Sequence, residues 1–202
     1  MSGGAPTATE PPRPDLRPDG HPPTRGLRAT LVVLGVMLVV VLGGYVVAAA
    51  LSEPAGPAAT IRGVVSVRPL SGWAVAKRGT LDGLPFVRLT RGSGNLDVVV
   101  AAPYAGSVDQ LANDYATHVL SRQLDQLSFS RRLETVRLPS GLQGARFGYV
   151  GVADTGASIE GEVTVVVTSS GHGVVFDGWG PAGLLSFERS DIETMIDRAA
   201  VT

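Results

Sequence analysis

The sequence predicts an α+β domain, a largely antiparallel sheet covered by two amphipathic helices, preceded by one transmembrane helix. Three observations lead to this prediction: an uncharged apolar run, alternating segments separated by Gly-rich turns, and two stretches with apolar residues at helical spacing. Because two amphipathic helices can cover a sheet built from hairpins, we expect a layered sandwich. The predicted organisation is a tail at 1–28, a transmembrane helix at 29–51, a linker at 52–60 and a domain at 61–202.

The apolar run at 29–51 contains no charged residue. At about 1.5 Å rise per residue it reaches across the roughly 30 Å hydrocarbon core of a bilayer, so we interpret it as an uncleaved anchor. The alternative is a cleaved secretory signal, since Ala48, Ala49 and Ala50 resemble a cleavage site. The chain contains no cysteine, so lipid attachment of the bacterial lipoprotein kind is excluded.

Basic residues near the apolar run predict its orientation, because Lys and Arg resist translocation. Three arginines, Arg17, Arg25 and Arg28, precede the run, and two, Arg62 and then Arg68, follow it. We therefore expect the N-terminal tail in the cytoplasm and the following domain outside the cell membrane, a single-pass arrangement.

The tail at 1–28 holds seven prolines and almost no large apolar residues. Such a segment cannot bury enough surface to offset the entropy of ordering, so we expect it to be disordered. It is too short for a catalytic domain. The linker at 52–60 should keep the folded domain near the membrane.

The first half of the domain predicts strands and a hairpin. A Gly-rich turn at 91–95 lies between two of the candidate strands, and its glycines suit a tight hairpin. The predicted strands are Ile61 to Val67, Trp73 to Ala76, Leu84 to Thr90 and Leu96 to Ala101.

A helix is predicted from Val108 to Leu127. Ser107 and Gln110 form a capping-box pattern before it. Apolar residues then recur at helical spacing as far as Leu124 and Leu127, so one face should pack on the sheet.

Four further strands and a second helix complete the domain. The last three strands should form a meander, and the final helix should begin at a Ser190 to Glu193 capping box, with Ile192, Met195, Ile196 and Ala199 on one face. The predicted strands are Glu134 to Leu138, Ala145 to Val152, Ile159 to Val167 and Val174 to Trp179.

The order of these elements resembles the PsbP-like fold, shared by extrinsic photosystem II subunits and by actinobacterial LpqN-type envelope lipoproteins. The resemblance rests on segments that span nearly all of 61–202: Ser71-Gly72-Trp73, the strand at 96–101 leading into the helix from Ser107, the strand within 141–152, and Val174 to Trp179 before the final helix. It implies a domain that docks to partners without catalysis, commonly in the cell envelope. The abundance of Gly, Ala and Val, with Lys77 as the single lysine, also resembles actinobacterial proteins.

Candidate site residues are few. Asp177 and Trp179 lie near the end of a predicted strand. An acid beside aromatic residues at such a position can line a groove, and we hypothesise that these two residues do so.

Glu160 and Glu162 share one face of a strand, as acid/base pairs or calcium ligands might. We expect a simpler arrangement, in which the apolar residues face the helices and the row of Glu160, Glu162 and Thr164 faces water. His172 lies between glycines in a predicted turn and is expected to be exposed.

These features favour a non-catalytic binding module of the bacterial cell envelope with no cofactor or metal. We expect a membrane anchor and an envelope protein partner, and no nucleic acid, because the net charge is −1. The sequence also lacks common hydrolase and nucleotide motifs. Two alternatives stay open: an envelope enzyme, a metal-assisted hydrolase using Glu160, Glu162, Asp177 and His172, or a binder of a small hydrophobic or lipid ligand.

Overall fold

The computed structural model describes residues 56–129 and 132–202. The predicted tail at 1–28, the predicted anchor at 29–51 and the first four residues of the predicted linker lie outside the described residues. Within the described ranges, no helix is both long enough and apolar enough to cross a membrane.

One large antiparallel sheet of eight strands forms the centre of the domain. Its strands are β3 (Ala74–Leu81), β4 (Leu84–Arg91), β5 (Gly94–Ala101), β6 (Leu124–Phe129), β7 (Glu134–Arg137), β8 (Gln143–Ala153), β9 (Ser158–Val167) and β10 (Gly173–Pro181). Their order across the sheet is β3-β4-β5-β10-β9-β8-β6, with β7 also paired to β8. The strands β8, β9 and β10 are neighbours in sequence and in the sheet, which confirms the predicted meander.

The predicted first strand, Ile61 to Val67, is instead a hairpin. Arg62 and Gly63 adopt positive φ angles and reverse the chain, so two short strands pair, with Ile61 opposite Val65. A C-terminal strand then pairs with the second of them and completes a small three-stranded sheet. These strands are β1 (Ala59–Ile61), β2 (Val65–Val67) and β11 (Ala200–Val201).

The hairpin between β4 and β5 is confirmed. Arg91 pairs with Gly94 across a two-residue turn, and Gly92 has φ of 55°. Glycine occupies this conformation at little cost, whereas most other residues do not. The turn fixes the register that places Arg88 opposite Asp97.

The first helix, α1, is shorter than predicted. The capping box between Ser107 and Gln110 is confirmed, and α1 begins as Val108–Asp114. It continues as a π-helical segment, Tyr115–Leu120, and ends with the turn Ser121–Gln123. Leu124 and Leu127 lie in β6, so the helical prediction for them was wrong. The pairing of Leu124 with Ala153 at the sheet edge outweighs the weak local preference for helix.

The second helix, α2 (Arg189–Asp197), buries Ile192, Met195 and Ile196 as predicted. Its start differs from the prediction. Glu188 is the N-cap and makes no side-chain capping bond, so the predicted box at Ser190 is wrong. Asp191 instead accepts a hydrogen bond from the indole of Trp73.

Two apolar cores lie on the two faces of the large sheet. One core joins α1 to the face that carries Phe86, Val99, Val163 and Val175. The other joins α2 and the small sheet to the opposite face, which carries Val98 and Phe176. The α+β prediction, an antiparallel sheet with two helices, is therefore confirmed, with one helix on each face.

Candidate functional site

A row of charged side chains crosses the sheet beneath α1. Arg88 on β4 lies opposite Asp97 on β5, and Asp97 lies opposite Asp177 on β10. Directly opposed side chains in an antiparallel pair have Cβ atoms about 5 Å apart. Asp97 is 2% exposed and Asp177 is 3% exposed, so the row is a buried polar site within an apolar core.

Arg88 and Asp97 form a bidentate ion pair. The guanidinium Nε and Nη2 donate to the two carboxylate oxygens of Asp97, each at 2.7 Å. The hydrogen bond to Asp97 is the main reason why the pKa of Arg88 is raised above its ordinary value. Two parallel, charge-assisted bonds fix the orientation of Arg88.

Trp179 completes the environment of this ion pair. Its indole nitrogen donates to Oδ2 of Asp97 at 3.1 Å. The Arg88 guanidinium lies over the Trp179 ring, 4.8 Å from its centroid, as in a cation–π contact. The indole is half-buried, so Trp179 is both a wall of the site and part of its surface.

Asp177 is held by two tyrosines. Tyr115 donates to its Oδ2 at 2.8 Å and Tyr149 donates to its Oδ1 at 2.9 Å. Burial, followed by repulsion from Asp97, raises the pKa of Asp177 to about 7, although the two tyrosines and Arg88 act in the opposite direction. Burial also raises the pKa of both tyrosines well above the ordinary value, so they stay protonated donors.

The local structure explains how each tyrosine reaches Asp177. Tyr115 is the first residue of the π-helical segment, and the wider turn buries Tyr115, Val119 and Leu120 together. Tyr149 on β8 lies opposite Gly161 on β9, and Gly161 in turn lies opposite Trp179. A Cβ atom at position 161 would collide with the Tyr149 ring, so the glycine lets this ring cross β9 toward Asp177.

A cleft of about 190 Å³, here called the Trp179 cleft, opens beside this cluster. Its walls combine aromatic and aliphatic groups with the polar tips of three side chains. It is lined by Arg88, Leu120, Gln123, Leu124, Tyr149, Ala153, Ile159, Asp177 and Trp179. The volume is below the roughly 300–1,000 Å³ typical of small-molecule pockets, and it suits a single inserted side chain.

A second and larger cavity, here called the α1 pocket, lies between α1 and the β4–β5 side of the sheet. Its volume is about 430 Å³, within the range for small ligands. The deep lining is mainly aliphatic, from residues such as Leu84, Leu111 and Val119, and the rim carries His118 and the Arg122–Asp82 ion pair.

The other predicted site residues lie elsewhere. Glu160 accepts a hydrogen bond from the Leu185 backbone at 3.0 Å, and Glu162 lies 3.4 Å from Arg146 and 3.5 Å from Arg189. Both glutamates are half-buried on the α2 side rather than turned to water. The expectation of a water-facing row is therefore wrong, because α2 and the turn before it cover this face.

His172 lies in the turn between β9 and β10, where its Nδ1 is 3.0 Å from the Ser170 hydroxyl oxygen. It is half-buried rather than exposed. Asp177 is five positions further along the extended chain, which corresponds to about 17 Å. The four residues of the hydrolase hypothesis are therefore not brought together, and the described ranges hold no group of three or more metal-ligating side chains that could bind an ion.

Of the predicted residues, only Asp177 and Trp179 meet at one site. Sequence reasoning missed Arg88, Asp97, Tyr115 and Tyr149. A signal was present for Asp97, which is the single charged residue in the apolar strand segment Leu96 to Ala101. An acid at such a position needs a partner when it is buried.

Comparison with solved structures shows the fold. The chain is similar to LpqN of Mycobacterium tuberculosis, with a TM-score of 0.50 and 9% identity over 68% of this chain and 83% of that chain. It is also similar to the cyanobacterial PsbP protein of Synechocystis sp. PCC 6803, with a TM-score of 0.52 and 14% identity over 72% of this chain and 92% of that one. The described domain has the PsbP-like fold.

A weaker likeness, with a TM-score of 0.46 and 11% identity, links 74% of this chain to 96% of the Saccharomyces cerevisiae Ran-binding protein Mog1p. No protein-family model matches the sequence, and no curated protein matches it significantly. The PsbP-like likeness therefore describes architecture, and the function has to be argued from the residues.

Proposed function

We propose that this chain is a membrane-anchored, non-catalytic binding module whose PsbP-like domain works on the outer side of the cell membrane. The similarity to LpqN, which is involved in cell envelope biogenesis, supports the envelope location. The anchor is supported by the uncharged apolar run at 29–51, which is long enough to span a bilayer.

The observation that carries the binding role is the construction of the Trp179 cleft. Its polar groups are fixed by partners before any ligand arrives: Arg88 by Asp97, and Asp177 by two tyrosines. In the described part of the chain, no buried side-chain nitrogen or oxygen lacks a hydrogen-bond partner. A rigid, pre-organised wall loses little entropy on binding, and this favours recognition of a partner side chain.

The chemistry of the cleft fits the same conclusion. Among the described residues that line it, Asp177 is the one carboxylate, and both of its oxygens accept hydrogen bonds from tyrosine hydroxyls. An aromatic wall beside an arginine is the composition typical of interface hot spots. We therefore propose that an envelope protein inserts an apolar side chain between Trp179 and Leu124.

Capture in intact cells tests this proposal. The full-length chain is crosslinked in its membrane beside a Gln123→Trp variant, in which an exposed cleft residue is replaced by a large ring. The matched control is Ser140→Trp, which introduces the same ring in the exposed turn after β7. We expect one envelope protein to be captured by the wild type and by the control but lost with Gln123→Trp. Equal capture by all three, or by residues 1–60 alone, would contradict the proposal.

The membrane topology can be tested separately because the chain has no native cysteine. Single cysteines at Ser2 and at Ser140 provide one label site before the apolar run and one in the domain. A membrane-impermeant maleimide should label intact cells at 140 and not at 2. The reverse pattern would invert the orientation, and labelling in the culture medium would show cleavage.

The α1 pocket supports a second candidate function, the binding of a small hydrophobic molecule. Its volume of about 430 Å³ and its aliphatic lining are the observations in favour. Native mass spectrometry of the purified full-length chain should then show a bound apolar molecule. His118→Trp, which places a ring at the rim, should reduce its occupancy, and an empty chain in both proteins would exclude this function.

A further inference from the structure

An exposed apolar surface lies at one end of the domain, and none of the binding roles above uses it. Four large hydrophobic side chains are exposed there, and Phe187 is the most exposed of them at 74%. A groove of about 310 Å³ is lined in part by two of them, Phe129 and Val150, and by Leu185 and Arg189. We call this the Phe187 surface; its exposed members are Phe129, Val150, Leu184 and Phe187.

The Phe187 surface lies at the end of the sheet where β10 finishes. β10 ends at Pro181, and the turn that carries Leu184 and Phe187 follows directly. Glu160, opposite Val150 in the sheet, accepts a hydrogen bond from the Leu185 backbone, so the turn lies against Val150 and its neighbours. The turn that carries Leu184 and Phe187 therefore adjoins the groove that Val150 and Leu185 line.

The chain enters the domain at this same end. Gly56 lies beside Pro69, where a Cβ atom at 56 would be 3.9 Å from Pro69 Cγ. From Pro69 the chain continues to Trp73, which donates a hydrogen bond to Asp191 at the start of α2. Arg91 also joins this end, through a 2.8 Å hydrogen bond to Glu188, the residue after Phe187.

The distance to the apolar run is short. Four residues, Ser52 to Ala55, separate its last residue, Leu51, from Gly56. Five Cα–Cα steps span at most about 18 Å even when the chain is fully extended. With the proposed anchor in the bilayer, the end of the domain that carries the Phe187 surface must stay close to the membrane.

We infer that the Phe187 surface docks on the bilayer interface, with Leu184 and Phe187 inserted at the boundary between headgroups and acyl chains. This inference rests on the proposed anchor. Insertion removes apolar area from water. The Arg189 guanidinium lies 3.5 Å from Glu162, but its side chain is 53% exposed and can also reach lipid phosphates beside the groove. The Trp179 cleft opens near the same end of the sheet, so docking would place it close to the membrane surface.

Fluorescence quenching in the full-length chain tests this inference. A fluorophore is attached to a single cysteine at Ser186, which is exposed between Leu184 and Phe187, or at Ser140 as the control at the opposite end. The chain is reconstituted in vesicles of phosphatidylethanolamine and phosphatidylglycerol that contain nitroxide-labelled lipid. We expect severalfold stronger quenching at 186 than at 140, and loss of that difference in Leu184→Ser/Phe187→Ser.

The outcomes separate the docking surface from the anchor. If the chain stays with the vesicles after alkaline extraction but position 186 is not quenched, the docking is wrong and the anchor stands. If the chain is extracted, the anchor fails and the docking falls with it. Quenching that requires a high protein-to-lipid ratio would assign the surface to a second copy of the chain and overturn bilayer docking. Leu184 and Phe187 are both exposed, so their replacement is expected to leave the fold intact. An unchanged thermal unfolding curve will verify that the double variant is folded.

Discussion

Asp97 and Asp177 lie directly opposite each other on β5 and β10, yet they have different partners. Asp97 accepts hydrogen bonds from a guanidinium and an indole N–H, whereas Asp177 accepts them from two tyrosine hydroxyls. Two like charges at this spacing repel each other, and the repulsion is stronger in a low-dielectric core. Two features reduce this repulsion: Asp97 forms an ion pair with Arg88, and the pKa of Asp177 is raised.

The first prediction concerns pH. The pKa of Asp177 is about 7 in the folded domain and about 4 in an unfolded chain. The folded state therefore binds the Asp177 proton more tightly than the unfolded state does. The contribution of this protonation to the free energy of unfolding is fully present below about pH 4 and is lost as the pH rises through 7. At about 1.4 kcal/mol per pKa unit, the loss is on the order of 4 kcal/mol.

Urea unfolding of wild type and Asp177→Asn between pH 4 and pH 8 measures this effect. The amide is neutral at every pH, and the tyrosine hydroxyls can rotate to donate or accept. We expect the free energy of unfolding of the wild type to fall relative to the variant as the pH rises. Parallel curves for the two proteins would show that Asp177 is not the responsible group.

The second prediction concerns Gly161. Alanine at this position would collide with the Tyr149 ring and move it away from Asp177. We expect Gly161→Ala to lower the free energy of unfolding by about 1–3 kcal/mol for the overpacking and about 1 kcal/mol for the lost hydrogen bond. Thermal and urea unfolding provide the measurement.

Gly148→Ala is the matched control for Gly161→Ala, because a Cβ at 148 would have its nearest neighbour at 3.7 Å, an ordinary contact. It should change the stability far less. The cost of Gly161→Ala should also shrink in a Tyr149→Ala background, where the ring is absent. An equal cost in both backgrounds would mean that the glycine serves the backbone and not the tyrosine.

The third prediction compares two arginines. Arg88→Ala leaves the Asp97 carboxylate buried without its cation, and removal of one partner from a buried pair costs about 3–5 kcal/mol. Arg122 pairs with Asp82 at 3.2 Å, but its side chain is 66% exposed, so Arg122→Ala should cost about 1 kcal/mol or less.

Urea unfolding at neutral pH gives both values for the arginine variants. Trp179 fluorescence should also shift in Arg88→Ala, because the guanidinium no longer covers the indole. Similar costs for the two variants would contradict the assignment of Arg88 to a buried ion pair.

The fourth prediction concerns the attachment of α2. Trp73→Phe keeps an aromatic ring but removes the 3.0 Å hydrogen bond to Asp191. We expect a loss of about 1 kcal/mol in the free energy of unfolding. In an Asp191→Ala background the same substitution should cost little more than the change in ring size, and additive costs would show that the two residues are not coupled.

Sequence patterns predicted most of the elements correctly because alternation and helical spacing are local properties. The strands β4, β5 and β7 to β10 and the first capping box follow directly from residue order. The errors occurred where distant pairing decided the outcome. Leu124 continues a helical pattern but pairs with Ala153, and Arg62 and Gly63 fold a predicted strand into a hairpin.

The candidate site shows the same division. The sequence by itself determined that Asp177 and Trp179 lie two residues apart on one strand, and so share a face. Only the tertiary structure decided their partners, because strand register brought Arg88 and Asp97 beside them and the π-helical segment delivered Tyr115. Register depends on contacts across the whole sheet, and the partners of Asp177 are separated from it by 28 and 62 residues. No local pattern encodes such pairings, so the burial and raised pKa of Asp177 are properties of the fold.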